Sequence, residues 1–512
     1  MKQLTENKQP HMKKLLIAAA LIAVCCTSIQ AQPVQGRPSG GRPQPKKNII
    51  LPELLQGDIV LQQRTDARIW GKAAPGSDIT VNTPWNDCNY RVKADRDSLW
   101  SVKVATPGAS YTPYDITVSC GDEKTVLRNA LIGDVWFCGG QSNMAMPLKG
   151  MFNCSVDNAA EEILHSGQNK GLRYVTVAQH QATESDPNYF TEGRWFRSGP
   201  ATAADFSATG YFFGQALTQA LDIPIGLISC NWSGSFVEDW MSKELIERYP
   251  DQEVFGADFT KAFTKMYYGM FEPASMYTVK GMIWYQGESN VGSPDYAERL
   301  AAAVELWKSR FEVESLPFYL VEIAPFNYNK GYGMMSADLR GQQLKAARLI
   351  PESGLACTND LVYDYELNNI HPAQKKAVGE RLAMLALSKT YGFGNPCEGP
   401  VFREMIIDGS SAAILFDNAP NGFVNREVKG FEIAGEDRVF HPAKAVIGFA
   451  PRRPGQQGRG FGMGGYAVRV SCDEVPDPVA VRYGYGPFTP GDLQNTEGLP
   501  AYPFRTDDWP LR

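Results

Sequence analysis

The chain has 512 residues, of which 43% are hydrophobic, and a formal net charge of −6 at pH 7. This length allows about three domains of ordinary size. An acidic chain offers no electrostatic footprint for nucleic acid, so a nucleic acid is excluded as the expected partner. We therefore expect a globular protein of several domains that acts on another kind of molecule.

Residues 1–31 have the layout of a secretory signal peptide. Two lysines at 13 and 14 precede an apolar run, which is followed by small and polar residues up to Ala31. The run is shorter than the roughly 20 apolar residues that a membrane-spanning helix needs. Removing this segment takes away four lysines and one glutamate, so the net charge becomes −9. We predict an exported protein, periplasmic or extracellular, with no stable membrane span.

Changes in composition divide the rest of the chain into four segments. Residues 32–47 form a linker rich in proline and glycine. Short alternating apolar runs between turn signals predict an N-terminal β domain at 48–129 and a C-terminal β domain at 398–512, both resembling β-sandwiches. In between, residues 130–397 alternate strand-like and helical patterns, which indicates an α/β domain with a mainly parallel sheet covered on both faces. Ligands bind at the carboxyl ends of the strands in such sheets.

Eight cysteines remain after the signal peptide, and an even number in an oxidising compartment permits disulfides. Cys88 with Cys120 and Cys397 with Cys472 are plausible pairs, although the sequence does not fix the connectivity. Cys138 and Cys230 lie in apolar strand-like runs, so we expect them to be buried free thiols.

Three strand ends of the α/β segment carry unusual polar residues. GGQSN at 139–143, NWSGS at 231–235 and YQGESN at 285–290 each follow or end a strand-like run. Each of these segments taken alone could be a turn without a function, because glycine and asparagine are common in turns. Ser142 could cap the helix that follows, since serine is a preferred N-cap residue, or it could be a nucleophile exposed at a strand-to-helix turn. The G-x-S-x-G pattern is absent, because Met144 stands at its second glycine position.

A serine nucleophile needs a base, and the chain has five histidines. Four lie in the leader, in mixed polar surroundings or in the C-terminal β region: His11, His165, His180 and His441. His371 follows the last strand-like run of the α/β segment, and Pro372 after it suits the first turn of a helix. We therefore expect His371 at the same edge of the sheet as Ser142, within hydrogen-bond reach of its hydroxyl.

Several of these blocks resemble the signatures of the SGNH hydrolase superfamily and, more narrowly, of its sialate O-acetylesterase family. They are GQSNM around Ser142, WYQGESN at 284–290 and IHP at 370–372. Other stretches, such as LPELLQGDIVLQQ, FSATGYFFG, IPIGLISCNWSGS and GLPAYPFRTDDW, extend the resemblance over nearly all of the chain after the linker. The resemblance implies an SGNH-type three-layer α/β/α catalytic domain in an exported carbohydrate esterase that removes O-acetyl groups from sialic acids.

The resemblance also implies roles for individual residues. Ser142 would be the nucleophile and His371 its base, and no metal or other cofactor is needed for this acyl transfer. The oxyanion would be bound by the backbone N–H groups of Ser142 and Gly234 and by the side-chain amide of Asn290. Sialic acid carries a carboxylate that suits an arginine. The residues considered for contact with the acetylated sugar are Gln141, Trp232, Glu288 and Arg340. For Glu288 a buried hydrogen-bonding role is the first expectation, and for Arg340 a position on a helix surface is an equal alternative.

The sequence departs from the superfamily at the acid that orients the histidine. Position 368, three residues before His371, is an asparagine. A carboxylate could still reach the imidazole if the preceding loop folds back, or a main-chain carbonyl could orient the ring. A serine–histidine dyad and a triad therefore both stay open. The acids considered are Asp360, Asp364 and Glu366.

Two other functions fit the same residues. An acetyl xylan esterase, or another polysaccharide acetylesterase, would use this scaffold on a different acetylated sugar. A catalytically inactive glycan-binding protein is a hypothesis from a different class. The missing acid at 368 favours it weakly, whereas the joint presence of Ser142, Asn290 and His371 argues against it.

Overall fold

The structure, a computed structural model, describes residues 48–249, 263–328, 333–451 and 465–511. The predicted signal peptide and linker lie outside these residues. Among the helices of the described ranges, none combines the length and the apolar character that crossing a membrane demands.

The strands follow one another along the whole described chain. They are β1 (Val60–Gln62), β2 (Asp66–Lys72), β3 (Asp78–Thr83), β4 (Cys88–Lys93), β5 (Leu99–Ala105), β6 (Ser110–Cys120), β7 (Glu123–Gly140), β8 (Leu172–Thr176), β9 (Phe196–Arg197), β10 (Ile225–Asn231), β11 (Gly281–Tyr285), β12 (Phe318–Val321), β13 (Ser353–Ala356), β14 (Val401–Asp408), β15 (Ser411–Asp417), β16 (Glu427–Val428), β17 (Phe431–Ala434), β18 (Phe440–Pro442), β19 (Lys444–Phe449), β20 (Tyr466–Ser471), β21 (Ala480–Tyr483) and β22 (Phe504–Arg505).

The α-helices lie between β7 and β14. They are α1 (Ser142–Ala145), α2 (Ala159–His165), α3 (Pro200–Ala203), α4 (Ala208–Leu221), α5 (Lys243–Ile246), α6 (Glu272–Ala274), α7 (Tyr296–Phe311), α8 (Gly333–Leu349) and α9 (Lys375–Lys389). Short 3-10 turns at Glu288–Asn290 and Asp364–Glu366 lie close to the polar strand ends that the sequence analysis singled out.

The central part of the large sheet has the strand order β13-β12-β11-β7-β10-β8-β9. Neighbours from β13 to β8 pair in parallel, and only the short edge strand β9 is antiparallel. Parallel neighbours need crossover connections. Helices α4, α7 and α8 lie in the connections that lead to β10, β12 and β13. The α/β class expected from the sequence is confirmed, within a large mixed sheet.

The sheet is buried on both faces, as β7 illustrates. Successive side chains of a strand point to opposite faces. Trp136 and Cys138 belong to one buried cluster together with residues of α4 and α9, and Val135 and Phe137 belong to another with residues of α7 and α8. Because neither face meets solvent, this stretch of β7 is an unbroken apolar run rather than an alternating one.

Strand β7 also connects the N-terminal β region to the parallel strands. Its first part pairs antiparallel with β6, and its last part, from Asp134 to Gly140, pairs with β10. The predicted domain boundary between 129 and 130 therefore falls inside one strand. One hydrophobic cluster also combines Ile69 of the N-terminal region with Trp307 of α7. Residues Ile49–Arg512 form one compact unit.

The C-terminal segment contains two antiparallel sheets. Their strand orders are β14-β15-β20-β19-β16 and β18-β17-β21-β22. They share a buried cluster that includes Ile414 and Val468 from the first sheet and Ile433 and Tyr483 from the second. The alternating runs of this segment thus form strands with one face toward a common core.

The predicted disulfide between Cys88 and Cys120 is not formed, and both residues are free thiols. The register of the sheet gives the reason. On β3, Cys88 is paired with Thr83 and Cys120 with Ile79, so the two cysteines are displaced by four residues along the strand. This displacement amounts to about 13 Å. A disulfide needs Cα atoms within about 7 Å.

The second predicted disulfide, between Cys397 and Cys472, is also absent, and both residues are free thiols. Cys397 packs against the cluster that contains α4 and α9, whereas Cys472 packs against the C-terminal cluster. The prediction for Cys138 and Cys230 is confirmed, because both are buried free thiols.

Candidate active site

Ser142 is positioned by two glycines at the end of β7. A Cβ atom on Gly139 would lie 2.6 Å from Cε of Met282, and one on Gly140 would lie 2.1 Å from the carbonyl oxygen of Tyr285. Gly140 also has a φ of +143°, in the range that favours glycine. Only glycine therefore lets the chain pass this close to β11 and turn out of the sheet at the serine.

The residue that caps helix α1 is Gln141, not Ser142. Gln141 has an extended backbone, and its carbonyl accepts the N–H groups of Met144 and Ala145. Ser142 is the first helical residue, and its N–H belongs to the first turn, which has no acceptor within the helix. The capping alternative for Ser142 is therefore wrong.

The hydroxyl of Ser142 meets His371. Its Oγ lies 2.8 Å from Nε2 of the imidazole, across 229 residues of sequence. His371 lies in the loop between β13 and α9, at the carboxyl end of the parallel strands, as Ser142 does. The structure thus brings together the two residues that the sequence analysis paired as nucleophile and base.

Glu366 holds the loop that carries His371. Its buried carboxylate accepts the N–H of Tyr363 at 2.9 Å and the N–H of Ala373 at 2.8 Å. These two bonds join the backbone on both sides of the histidine. Glu366 was one of the acids considered as a partner of the imidazole, and the structure places its oxygens on the backbone instead.

The other two acids also lie away from the imidazole. Asp360 forms a bidentate ion pair with Arg381, at 2.6 and 2.7 Å. Asp364 is exposed on its 3-10 turn. In place of a carboxylate, Nδ1 of His371 has Sγ of Cys154 at 3.8 Å. The sequence left a dyad and a triad open, and the positions of these three acids favour the dyad.

Burial and a nearby charge keep the imidazole neutral. Burial, and then the ammonium of Lys375, lower the pKa of His371 to about 3. Burial also lowers the pKa of Lys375 to about 8, although the carboxylates of Glu288 and Glu366 favour its charged form. At neutral pH the ring is therefore unprotonated at one nitrogen, the form in which it accepts a proton from Ser142.

Asn143 is the centre of a buried polar network next to Ser142 and His371. The sequence analysis did not predict this network. The amide of Asn143 donates to Glu288 and, at 3.0 Å, to the carbonyl of Ile370. Its Oδ1 accepts from Nζ of Lys375 at 2.6 Å. Asn143 follows the serine and Ile370 precedes the histidine, so one side chain connects the two catalytic segments. Its only signal in the sequence was its place next to Ser142.

Glu288 belongs to this network rather than to an open substrate surface. It is buried, burial raises the pKa of its carboxyl, and the hydrogen bond from Asn143 and the charge of Lys375 oppose that rise. Nζ of Lys375 also lies 5.3 Å from the ring centre of Tyr285. Of the two roles considered for Glu288, the buried hydrogen-bonding role is the one that the structure shows.

Gly234 follows β10 with a φ of +75° and faces open space, because a Cβ atom there would meet nothing within 4 Å. Across the described residues, no hydrogen bond engages its N–H. This N–H and that of Ser142 are the backbone donors expected for an oxyanion.

Asn290 has a different role from the expected one. Its side chain is buried, and its amide donates to Glu238 at 3.0 Å and to Ser293 at 3.4 Å. Its Oδ1 accepts from the N–H of Val237 and from Gln286. Both amide hydrogens are thus bonded within the protein. The assignment of Asn290 as an oxyanion donor is therefore corrected: its side chain connects the loop after β10 to the loop after β11.

Arg340 cannot contact a substrate carboxylate in this structure. Only 2% of the residue is exposed, and its guanidinium donates to the carbonyls of Gly484 and Gly486 at 2.9 and 2.6 Å. A buried charge needs such partners. Arg340 therefore connects α8 to the C-terminal segment, and its predicted role at the sugar is wrong.

Gln141 and Trp232, the other two residues considered for contact with the substrate, lie close in sequence or by hydrogen bond to the turn that carries Ser142. Gln141 is buried, and its Oε1 accepts the N–H groups of Gly287 and Ser289 at 3.3 and 3.5 Å, so it links the ends of β7 and β11. Trp232 is half-buried, and its N–H donates to the carbonyl of Gly140.

Comparisons with known proteins show the family to which the chain belongs. The family model described as "Carbohydrate esterase, sialic acid-specific acetylesterase" matches residues 132–388, which include Ser142, Gly234 and His371. Sialate O-acetylesterase of Homo sapiens is 29% identical over 384 residues, which cover 68% of this chain and 72% of that protein. The Mus musculus protein of the same name is 25% identical over 421 residues, covering 70% and 76%.

A solved structure extends the similarity to most of the chain. The crystal structure of a carbohydrate acetylesterase from Xanthomonas citri is similar with a TM-score of 0.76 and 32% identity, covering 90% of this chain and 100% of that one. The resemblance inferred from the sequence motifs is confirmed. The chain belongs to the sialic acid-specific acetylesterase family of carbohydrate esterases, and it is a carboxylic ester hydrolase.

Proposed function

We propose that this protein removes O-acetyl groups from sialic acids by serine–histidine chemistry. The observation that carries the proposal is the 2.8 Å contact between Oγ of Ser142 and Nε2 of His371 at the carboxyl ends of the parallel strands. The neutral imidazole, and the N–H of Gly234 that no hydrogen bond engages among the described residues, support ester cleavage. The family match and the names of the relatives support the substrate class.

In the proposed reaction, Oγ of Ser142 attacks the acetyl carbonyl while Nε2 of His371 takes the hydroxyl proton. The N–H groups of Ser142 and Gly234 donate to the oxyanion, and each such donor stabilises the transition state by about 2.7–4 kcal/mol. Collapse of the intermediate releases the sugar alcohol, which receives its proton from His371, and leaves an acetyl-serine. Water, deprotonated by the same imidazole, then attacks this ester, and the imidazolium returns the proton to Oγ of Ser142 as acetate leaves.

The finer architecture and the cellular location belong to the same proposal. We propose an SGNH-type catalytic domain at 130–397, with β-sandwich-like domains at 48–129 and 398–512. Helices on both faces of the parallel strands support the middle domain, and the core shared by the two C-terminal sheets supports the last one, while the first boundary lies within β7. We also propose export directed by residues 1–31, on the basis of their charge and apolar run.

The substrate is tested by acetate release. O-acetylated sialic acid and acetylated xylan are offered at equal concentrations of acetyl groups, and acetate is measured over time. We expect release from the sialic acid to be about tenfold faster or more, because acetate esters on two different sugars differ in their contacts beyond the acetyl group. Faster release from xylan would replace the proposal with the polysaccharide acetylesterase. No hydrolysis of any acetyl ester would favour the inactive glycan-binding protein.

The polysaccharide acetylesterase is kept as a second candidate because of one observation. Arg340, the arginine considered for the carboxylate of sialic acid, is buried and hydrogen-bonded within the protein. An uncharged acetylated sugar needs no such arginine.

A further inference from the structure

A thiol lies on the side of His371 that faces away from Ser142. Sγ of Cys154 is 3.8 Å from Nδ1 of the imidazole, which is within hydrogen-bond range for a sulfur atom. The same Sγ lies 3.4 Å from Oδ1 of Asn369. The two contacts place the sulfur between the catalytic ring and an amide oxygen.

The backbone fixes the position of this thiol. The N–H and carbonyl of Cys154 exchange two hydrogen bonds with those of Met151, both 2.9 Å long. Gly150 before them has a φ of +78°, and a Cβ atom there would lie 2.7 Å from the carbonyl oxygen of Cys154. The turn therefore holds the thiol against the imidazole in one place.

Asn369 sets the direction of the hydrogen bonds. Its Oδ1 accepts the backbone N–H of His371 at 3.0 Å, and it also accepts the thiol hydrogen of Cys154. Once the hydrogen of the thiol points to Asn369, the lone pairs of the sulfur are left for Nδ1. A sulfur acceptor at this nitrogen favours the tautomer with hydrogen on Nδ1, which leaves Nε2 unprotonated toward Ser142.

We propose that Cys154 is a positioning residue for catalysis, whose sulfur accepts a hydrogen bond from Nδ1 of His371 and holds the ring in the tautomer that deprotonates Ser142. The inference rests on the proposed function, because it assigns a residue to the same reaction. It also gives a physical account of a site whose three candidate carboxylates all lie elsewhere, because the thiol of Cys154, oriented by Asn369, lies next to Nδ1 of His371.

Three substitutions of Cys154 distinguish a residue that positions the imidazole from one that only fills space in the protein. Cys154→Val nearly keeps the volume and loses the acceptor, Cys154→Ser keeps a smaller acceptor, and Cys154→Asp supplies a carboxylate. The experiment measures kcat and KM for a chromogenic acetyl ester across the pH range, and the thermal unfolding midpoint of each variant. Cys88→Ser, at an exposed thiol on β4, serves as the control.

We expect Cys154→Val to lower kcat about five- to tenfold with little change in KM, which is the size of one lost neutral hydrogen bond. Cys154→Ser should keep more of the activity. Cys154→Asp should move the acidic limb of kcat/KM to higher pH, because a carboxylate stabilises the imidazolium and raises the pKa of His371. Cys88→Ser should behave as the wild type.

Other outcomes would overturn the proposal. If Cys154→Val keeps the wild-type kcat, or if Cys154→Asp leaves the acidic limb in place, Cys154 does not act on the imidazole. A loss of activity that only follows the loss of folded protein would assign Cys154 a packing role and also contradict the proposal. Failure of the proposed function has a different signature, since the wild type itself would then hydrolyse no acetyl ester.

Discussion

Replacing Ser142 by alanine should lower kcat for acetyl ester hydrolysis by about 10⁴-fold or more, because the acyl-enzyme can no longer form. The fold should be unaffected, since Gln141 caps α1 and alanine suits a helical position. Turnover of a chromogenic acetyl ester and thermal unfolding of the same preparations measure the two effects. Retained hydrolysis in Ser142→Ala would show that another residue is the nucleophile.

Two further variants make this test specific. His371→Ala should cause a comparable loss, and the double variant should lose little more, because residues that act as a unit are not additive. Ser315→Ala is the matched control. Its exposed hydroxyl contacts Glu352 just before β12, at the edge of the sheet opposite the active site. It should keep full activity, and a loss there would mean that the effects are not local.

Replacing Lys375 by methionine should have the second large effect, on both stability and pH dependence. The ammonium is fully buried and bonds to Asn143, with the carboxylate of Glu288 nearby. Its removal leaves a buried negative charge uncompensated, so we expect the free energy of unfolding to fall by about 3 kcal/mol. Urea denaturation at neutral pH measures this change.

The same substitution should shift the activity profile in a known direction. The charge of Lys375 lowers the pKa of His371, second to burial, so removing it raises that pKa toward its ordinary value. A higher pKa means that the imidazole becomes protonated earlier as the pH falls. The acidic limb of kcat/KM for Lys375→Met should therefore lie at higher pH than in the wild type.

The neighbouring lysine provides the control for Lys375. Lys376 is half exposed and pairs with Glu162 at the surface, so Lys376→Met should cost less than about 1 kcal/mol and leave the pH profile unchanged. Adding Glu288→Gln to Lys375→Met removes both charges and should restore part of the stability. Equal costs for Lys375→Met and Lys376→Met would contradict the buried network.

The positions of the polar residues at the strand ends could be predicted, because a local sequence pattern marks each of them. Apolar runs that end in Gly139 and Gly140, and the scarcity of histidines, were enough to place Ser142 and His371 at one edge of a parallel sheet. The glycines are informative because the contact with Tyr285 leaves no room for a side chain. The pairing of serine with histidine therefore followed from the chain alone.

The partners of the charged and amide side chains could not be predicted in the same way. Asp360, Glu366, Asn290 and Arg340 all have the right chemistry for the roles first considered. Each one instead bonds to a group that is far away in sequence or to a nearby backbone N–H. Whether a carboxylate reaches an imidazole depends on the path of a loop over a few ångströms, and residue spacing does not contain that path.

By itself, the sequence determined the α/β class and the family and predicted that Ser142 and His371 form a pair, because the hydrophobic period, the glycine turns and the order of the motifs are local features of the chain. Only the tertiary structure decided what surrounds that pair. Asn143 and Lys375 meet across 232 residues, and Sγ of Cys154, rather than one of the acids considered, lies next to Nδ1 of His371. The physical reason is that a buried polar group must be satisfied by whatever packing brings within hydrogen-bond distance, and packing is a property of the whole fold.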